Sequence, residues 1–361
     1  MPETLCDAHT QWASRPDDER FTSLQDLYTH LVAQRAASRA LIVSSRSIEA
    51  VPLDNGQHLT IRANDERFGD AHAPTHWSFG QLASLAGAPA GYLRSLPAPM
   101  AADCINYGLQ ISREVEDVGL LAQNHGTAVL RAATGPGYGR IWSCDIVGQM
   151  MQTLDLAAWK VPGVFGQALS EVTKENTTLY AGDRDMWVFL ADETHRVDVP
   201  NRRNGATGQL YRGFFCWNSE TGAGRLGLKT FYYDGVCGNR YVWGAEGVEE
   251  FSIIHRASAP DQYIEQMAPA LTRYANASSQ GITRAIEDAR SDRLGDKTAE
   301  FLAKRFGPRM GAKIELAHVT DEGRPIETRW DALVGATAFA RSIPHQDARI
   351  DFETEAAKLL A

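Results

Sequence analysis

Three runs decide how this chain is read: Leu210-Tyr211-Arg212-Gly213-Phe214-Phe215-Cys216-Trp217, Leu226-Gly227-Leu228-Lys229-Thr230-Phe231-Tyr232-Tyr233 and Val236-Cys237-Gly238-Asn239-Arg240-Tyr241-Val242-Trp243. Each is rich in aromatic residues, and glycine-containing turns separate them. Rings suit a pleated, half-buried surface, so the runs read as consecutive antiparallel strands. Gly222-Ala223-Gly224-Arg225-Leu226-Gly227 between the first two matches G-x-G-x-x-G. A dinucleotide site needs a helix after that pattern, and Leu228 to Tyr233 read as strand, so the glycines are a hairpin turn.

Upstream, Leu24, Leu27, Tyr28 and Leu31 recur at helical spacing. Ala40 to Val51 and His58 to Ala63 read as strands joined at Asp54-Asn55-Gly56. Ser78 reads as the N-cap of a short helix carrying Leu82, Leu85 and Ala86, and Met100 to Ile111 as another helix. Leu120 to Ala133 reads as a hairpin around Asn124-His125-Gly126, Ile141 to Leu156 as a helix, and Leu179–Ala181 and Met186–Leu190 as strands. Val197 to Gly208 reads as a polar loop, and Phe251 to His255 as a last strand.

Beyond Pro260 the apolar period changes from 2 to 3.6. Helices are expected over Tyr263–Tyr274, Ile282–Ala289, Lys297–Phe306, Thr328–Arg341 and Phe352–Leu360. The expected class is α+β: a mostly antiparallel central sheet with flanking helices and a helical C-terminal region. The division is an N-terminal helical arm (1–38), an α+β core (39–258) and the C-terminal helices (259–361).

The chain of 361 residues carries a formal charge of −9, yet Arg202 to Trp243 is basic. Arg202, Arg203, Arg212, Arg225, Lys229 and Arg240 stand against only Glu220 and Asp234, a local +4. Interleaved with them are Tyr211, Phe215, Trp217, Tyr232 and Tyr241. Cations for phosphates and rings for bases are the two needs of single-stranded nucleic acid binding. Against this stands a buried sheet with arginines on its wet face.

Five widely spaced cysteines without a C-x-x-C pair suggest reduced thiols. No signal-peptide pattern opens the chain and no apolar run is long enough to span a bilayer, so a cytoplasmic protein off the membrane is expected. No cofactor motif is found, and His72 and His76, four apart as metal ligands on a helix would be, have Pro74 between them and read as loop residues. Asp183, Asp185, Asp192, Glu193 and Glu220 are the carboxylates that would have to converge if the chain were a metal-dependent nucleic-acid enzyme.

Arg212-Gly213-Phe214-Phe215-Cys216-Trp217-Asn218-Ser219-Glu220-Thr221-Gly222, followed by Val236-Cys237-Gly238-Asn239, resembles the phage/plasmid-like proteins of domain-of-unknown-function family 932, with departures at Gly238 and Arg240. Phe79-Gly80-Gln81-Leu82-Ala83 with Pro89, Tyr92 and Leu93, and Trp330-Asp331-Ala332 with Ala338, extend the resemblance from about Ser78 to the C-terminus. Asn218, Ser219, Glu220, Gly222, Cys237 and Asn239 carry its motif. The resemblance implies a mobile-element origin and no established chemistry. The expected function is non-enzymatic binding or annealing of single-stranded DNA, as in recombination, by a homo-oligomer. The alternatives are the metal-dependent enzyme or an acidic interaction protein of anti-defence or DNA-mimic type.

Overall fold

In the computed structural model, the structure describes residues 15–360 apart from 54–55, 112–116, 162–171, 176, 203–204, 235–239, 243–249 and 344–345. The class is α+β. The aromatic runs lie side by side as expected: β11 (Gly208–Asn218) pairs antiparallel with β12 (Leu226–Asp234), Leu210 opposite Asp234 and Trp217 opposite Gly227. β13 (Arg240–Val242) and β14 (Glu250–Ile253) line the two ends of the far edge of β12. On the other side β10 (Met186–Val199) pairs with β11, and β8 (Trp159–Lys160) and β9 (Leu179–Ala181) pair with β10. β1 (Arg20–Phe21) closes this eight-stranded, wholly antiparallel sheet. A second sheet runs β2 (Ser38–Ser44), β6 (Asp117–His125), β7 (Thr127–Thr134), β5 (Ala73–Pro74), and β3 (Ile48–Pro52) pairs with β4 (Leu59–Ala63).

Three expectations need correction. The run Ala40–Val51 is two strands in different sheets, broken at a 3-10 turn over Ser45–Ser47, where the Ser47 hydroxyl donates to the Ser44 carbonyl. The polar loop expected from Val197 is strand as far as Val199, because β10 continues past an irregularity between Ala191 and Arg196. The cap of the second helix is Thr75, which accepts from the Ser78 amide, while Ser78 is buried and donates to the Leu130 carbonyl at 2.7 Å.

α1 (Leu24–Ala37) is capped by Ser23 and buries Leu24, Leu27 and Leu31 in the same cluster as Val188, Phe214 and Leu228. The described part of the N-terminal arm therefore shares a core with the large sheet. α2 (His76–Leu85), α3 (Ala90–Leu93) and α4 (Ala98–Ile111) build a second core with β2–β4, β6 and β7. α5 (Ser143–Thr153) packs beside α1.

From Ala259 the chain is helical: α6 (Ala259–Gln262), a π-turn over Tyr263–Met267, α7 (Ala268–Ala275), α8 (Gln280–Ser291), α9 (Thr298–Phe306), α10 (Pro308–Glu322), α11 (Arg329–Ala340) and α12 (Gln346–Ala357). α11 starts at a capping box in which Thr328 and Asp331 satisfy each other's amides, and it is buried almost throughout. α10 was not expected. No helix among the described residues is long and apolar enough to cross a membrane.

Candidate functional site

The rings and cations of β11 and β12 do not form a solvent-facing platform, because most of the described ones are buried. Phe214 and Cys216 point into the cluster that contains Tyr263, Met267, Leu271 and Tyr274. Phe215 and Tyr211 point the other way, into a cluster with Phe189 and Phe231 that packs against Ala357 of α12. Phe215 lies 4.8 Å from Phe189 and 4.6 Å from Phe231, ring centre to ring centre. Tyr232 is buried among the C-terminal helices. Trp217, half-buried, stacks on Trp187 at 5.3 Å.

The cations are consumed in the same way. Arg202 is buried between Asp234 and Glu322, with its Nη2 2.7 Å from Glu322 Oε1. Arg212 is buried under α7, donating to the Tyr274 and Ala277 carbonyls and facing Asp192 at 3.4 Å. Lys229 is buried. A guanidinium inside a fold has to be paired and hydrogen-bonded, and these two are, so neither is offered to a phosphate. Of the six expected cations, Arg225 is exposed and donates to Ser252 Oγ at 3.2 Å. Arg203, Cys237 and Asn239 lie outside the described residues, as do the side chains of Arg240 and Tyr241.

The turn Asn218-Ser219-Glu220-Thr221 is where the two main sheets meet, and all four side chains are buried. Asn218 donates to the Ile141 carbonyl and Ser143 Oγ; Ser219 and Thr221 both donate to the Arg184 carbonyl. Glu220 takes two charge-stabilising bonds, from Arg131 at 2.9 Å and from the Ser143 amide at 2.8 Å. Its own carbonyl accepts from Arg140 Nε. Trp77 and Gln81 of α2 both donate to the Thr221 carbonyl, and the Tyr138 hydroxyl donates to that of Ser219. Gly222 follows at φ +86°, a backbone conformation that favours glycine, and an added Cβ would lie 3.2 Å from Gln81 Nε2 and Thr134 Cγ2. The pairing expected of Glu220 with an arginine is present, with Arg131 in place of Arg212 or Arg225.

Around this turn stand cation–ring contacts that sequence reasoning missed. Arg184 is exposed and lies 4.9 Å from the centre of the Trp77 ring. Arg140 lies 5.5 Å from Tyr138 and 5.8 Å from Trp142, and Arg35 lies 5.2 Å from the Trp142 ring. Arg35 also pairs with Asp145 at 2.6 Å, in a bridge that is half open to solvent. Among the described residues, neither Arg140 nor Arg184 makes a salt bridge. Burial lowers the Arg140 pKa, with Tyr138 and Glu220 acting in the opposite sense, and burial raises that of the Tyr138 hydroxyl. Between α1 and the turn, Gln34, Arg131, Arg184, Asp185 and Glu220 line a cavity of about 10 Å³, room for one water-sized molecule. The stretch Tyr138-Gly139-Arg140-Ile141-Trp142, which alternates ring, cation and ring, was the signal that could have pointed here.

Of the carboxylates of the metal-enzyme alternative, Asp185 and Glu220 line one cavity, and Asp192 is not among its lining residues. Asp192 faces Arg212, Asp185 pairs with Arg15, and Glu220 is held by Arg131. The side chain of Glu193 lies outside the described residues. No group of three or more His, Cys, Asp and Glu among the described residues is placed to hold a metal ion. Comparison with known protein families, curated proteins and solved structures finds no match to this chain.

Proposed function

We propose that the chain binds single-stranded DNA without catalysing a reaction, at the rim of arginines and rings around the Asn218–Gly222 turn. The binding strands of the sequence-based expectation are replaced by Arg35, Arg140 and Arg184 with Trp77, Tyr138 and Trp142. One observation carries the reading: Arg140 and Arg184 reach aromatic faces and make no salt bridge among the described residues. Guanidinium planes and ring faces both stack on unpaired bases, and the same guanidinium groups neutralise phosphates. Annealing in recombination and an origin on a mobile element belong to the proposal through the resemblance alone.

The experiment is fluorescence anisotropy of a labelled oligonucleotide titrated with the full chain at low salt. Saturable binding that Arg184→Ala with Trp77→Ala weakens about tenfold or more supports the reading, since one stacked ring is worth about 1–3 kcal/mol. Unchanged binding in that variant removes it.

A second reading, an acidic interaction protein of DNA-mimic type, is favoured by the burial of Arg202 and Arg212 against carboxylates beneath a net charge of −9. It expects no oligonucleotide binding at any salt concentration, and capture of a basic protein that added salt releases.

A further inference from the structure

The loop between β7 and α5, residues 135–142, carries Tyr138 and Arg140, and a histidine from the large sheet clamps it. His255 lies two residues past the end of β14 at Ile253 and is 6% exposed. Its Nδ1 is 3.0 Å from the Gly139 carbonyl oxygen, and the Gly139 amide donates to the His255 carbonyl at 3.2 Å. A carbonyl only accepts, so Nδ1 carries the proton, and the uncharged ring leaves Nε2 bare. That Nε2 is buried and has no hydrogen-bond partner. The ring is stacked on Tyr138, with centres 4.9 Å and planes 21° apart, and Arg140 lies 5.5 Å from the same Tyr138 ring. A Cβ on Gly139 would sit 1.8 Å from the Arg256 carbonyl oxygen, so the two backbones meet with nothing between them.

We infer that His255 is a positioning residue of the rim: its uncharged ring fixes Tyr138 and Arg140 for the bound strand, and acid releases both. The inference rests on the proposed binding of single-stranded DNA there. A second ring proton would go to Nε2, which is buried and has no acceptor, and an unpaired buried charge is costly. The charged groups that face the ring are Arg140, which repels an imidazolium, and Glu220, which attracts one. Glu220 is already held by Arg131 and the Ser143 amide. Tyr138 stays uncharged, because burial pushes its hydroxyl up. Burial first, and Arg140 after it, hold the imidazole below its ordinary pKa against the Gly139 carbonyl and Glu220. The clamp is therefore complete above the ordinary histidine value of about 6.5 and is lost as pH falls from there through the folded value. Acid otherwise strengthens a hold on phosphates by adding cations, and the exposed His76 beside Trp77 acts in that sense. Loss of the clamp acts in the opposite one.

Fluorescence anisotropy of labelled oligothymidylate with the full chain, at about pH 7.5 and about pH 5.5 and one ionic strength, tests this on either side of the ordinary histidine value. The expected result is a loss of affinity of about fivefold or more in acid, the low end for one stacked ring. His255→Ala weakens binding at both pH values. His255→Asn places an amide nitrogen near the Nδ1 position and does not titrate; it recovers part of the affinity at the higher pH and shows no fall at the lower. The His255 Cε1–H resonance of the chain without DNA, assigned by its loss in His255→Asn, titrates with a midpoint below about 6.5. Affinity that holds or rises in acid, or that falls as steeply in His255→Asn, overturns the inference, and so does a midpoint at or above that value. Absence of oligonucleotide binding at both pH values instead removes the binding proposal, and the resonance then decides the clamp by itself.

Discussion

Glu220→Met keeps a side chain of similar length in place while deleting the carboxylate on which Arg131 and the Ser143 amide converge. Arg131 and Glu220 each have only 5% of their side chain exposed. After the substitution the guanidinium keeps Gln34 Oε1 at 3.0 Å and Ser38 Oγ at 3.3 Å, and no carboxylate. Leaving one member of a buried ion pair alone costs about 3–5 kcal/mol. The stranded Ser143 amide adds about 1–3 kcal/mol, less whatever relaxation recovers. A loss of about 3–6 kcal/mol is large against a total stability of about 5–15 kcal/mol. Arg131→Met should cost a similar amount, for the same reason seen from the other side.

Removing both charges together strands neither, so Arg131→Met with Glu220→Met should cost about 1–3 kcal/mol, mostly the Ser143 amide. The double-mutant cycle therefore closes with a coupling of about 2 kcal/mol or more. Urea unfolding followed by circular dichroism measures all four stabilities. Costs that add to within about 0.5 kcal/mol would refute the reasoning, because the two charges would then not depend on each other.

Three further outcomes follow from the packing. Arg202→Ala leaves Asp234 and Glu322 buried without their cation, and urea unfolding should show a loss of about 3–5 kcal/mol, with oligonucleotide binding per folded molecule unchanged. Burial raises the Asp331 pKa, yet the His318 ring 3.7 Å away, the hydrogen bond from Arg324 at 2.6 Å and that from the Glu327 amide outweigh it and hold the group below its ordinary value. Its stabilisation is then complete above the unfolded value of about 3.9 and is lost as pH falls from there through the folded value. The urea midpoint should fall on acidification in the wild type, and less steeply in Asp331→Asn. Gly139→Ala places a Cβ 1.8 Å from the Arg256 carbonyl oxygen, so backbone has to move; a loss of about 1–3 kcal/mol is expected in the same assay.

The meander β9 to β12 was legible because aromatic residues fill it and glycines punctuate it. Which side chains of β11 met water was not, since Tyr274, which packs on one side, and Ala357, which touches the cluster on the other, come from helices far downstream. Arg212 shows the consequence: in sequence it is one of several cations near rings, and in the fold it caps carbonyls under α7. α10 escaped because its buried positions are Gly311, Ile314, His318 and Glu322, and only one of these carries a large apolar side chain. Helical spacing was present, but polar residues filled it: His318 contacts Asp331 and Glu322 contacts Arg202. The rim around Glu220 draws on residues 35, 77, 138–142 and 184, which only the meeting of two sheets brings together. The Asn218–Gly222 motif itself was legible, but its work as the joint between those sheets was not.

The salt dependence of oligonucleotide binding tests the central claim most directly. Each phosphate neutralised on a single strand contributes about −0.7 to the slope of log affinity against log salt. Contacts from Arg35, Arg140 and Arg184 give a slope of about −2, and replacing any one of them by alanine should reduce its magnitude by about 0.7. Absent binding at low salt, or a slope that none of the three substitutions changes, would contradict the account.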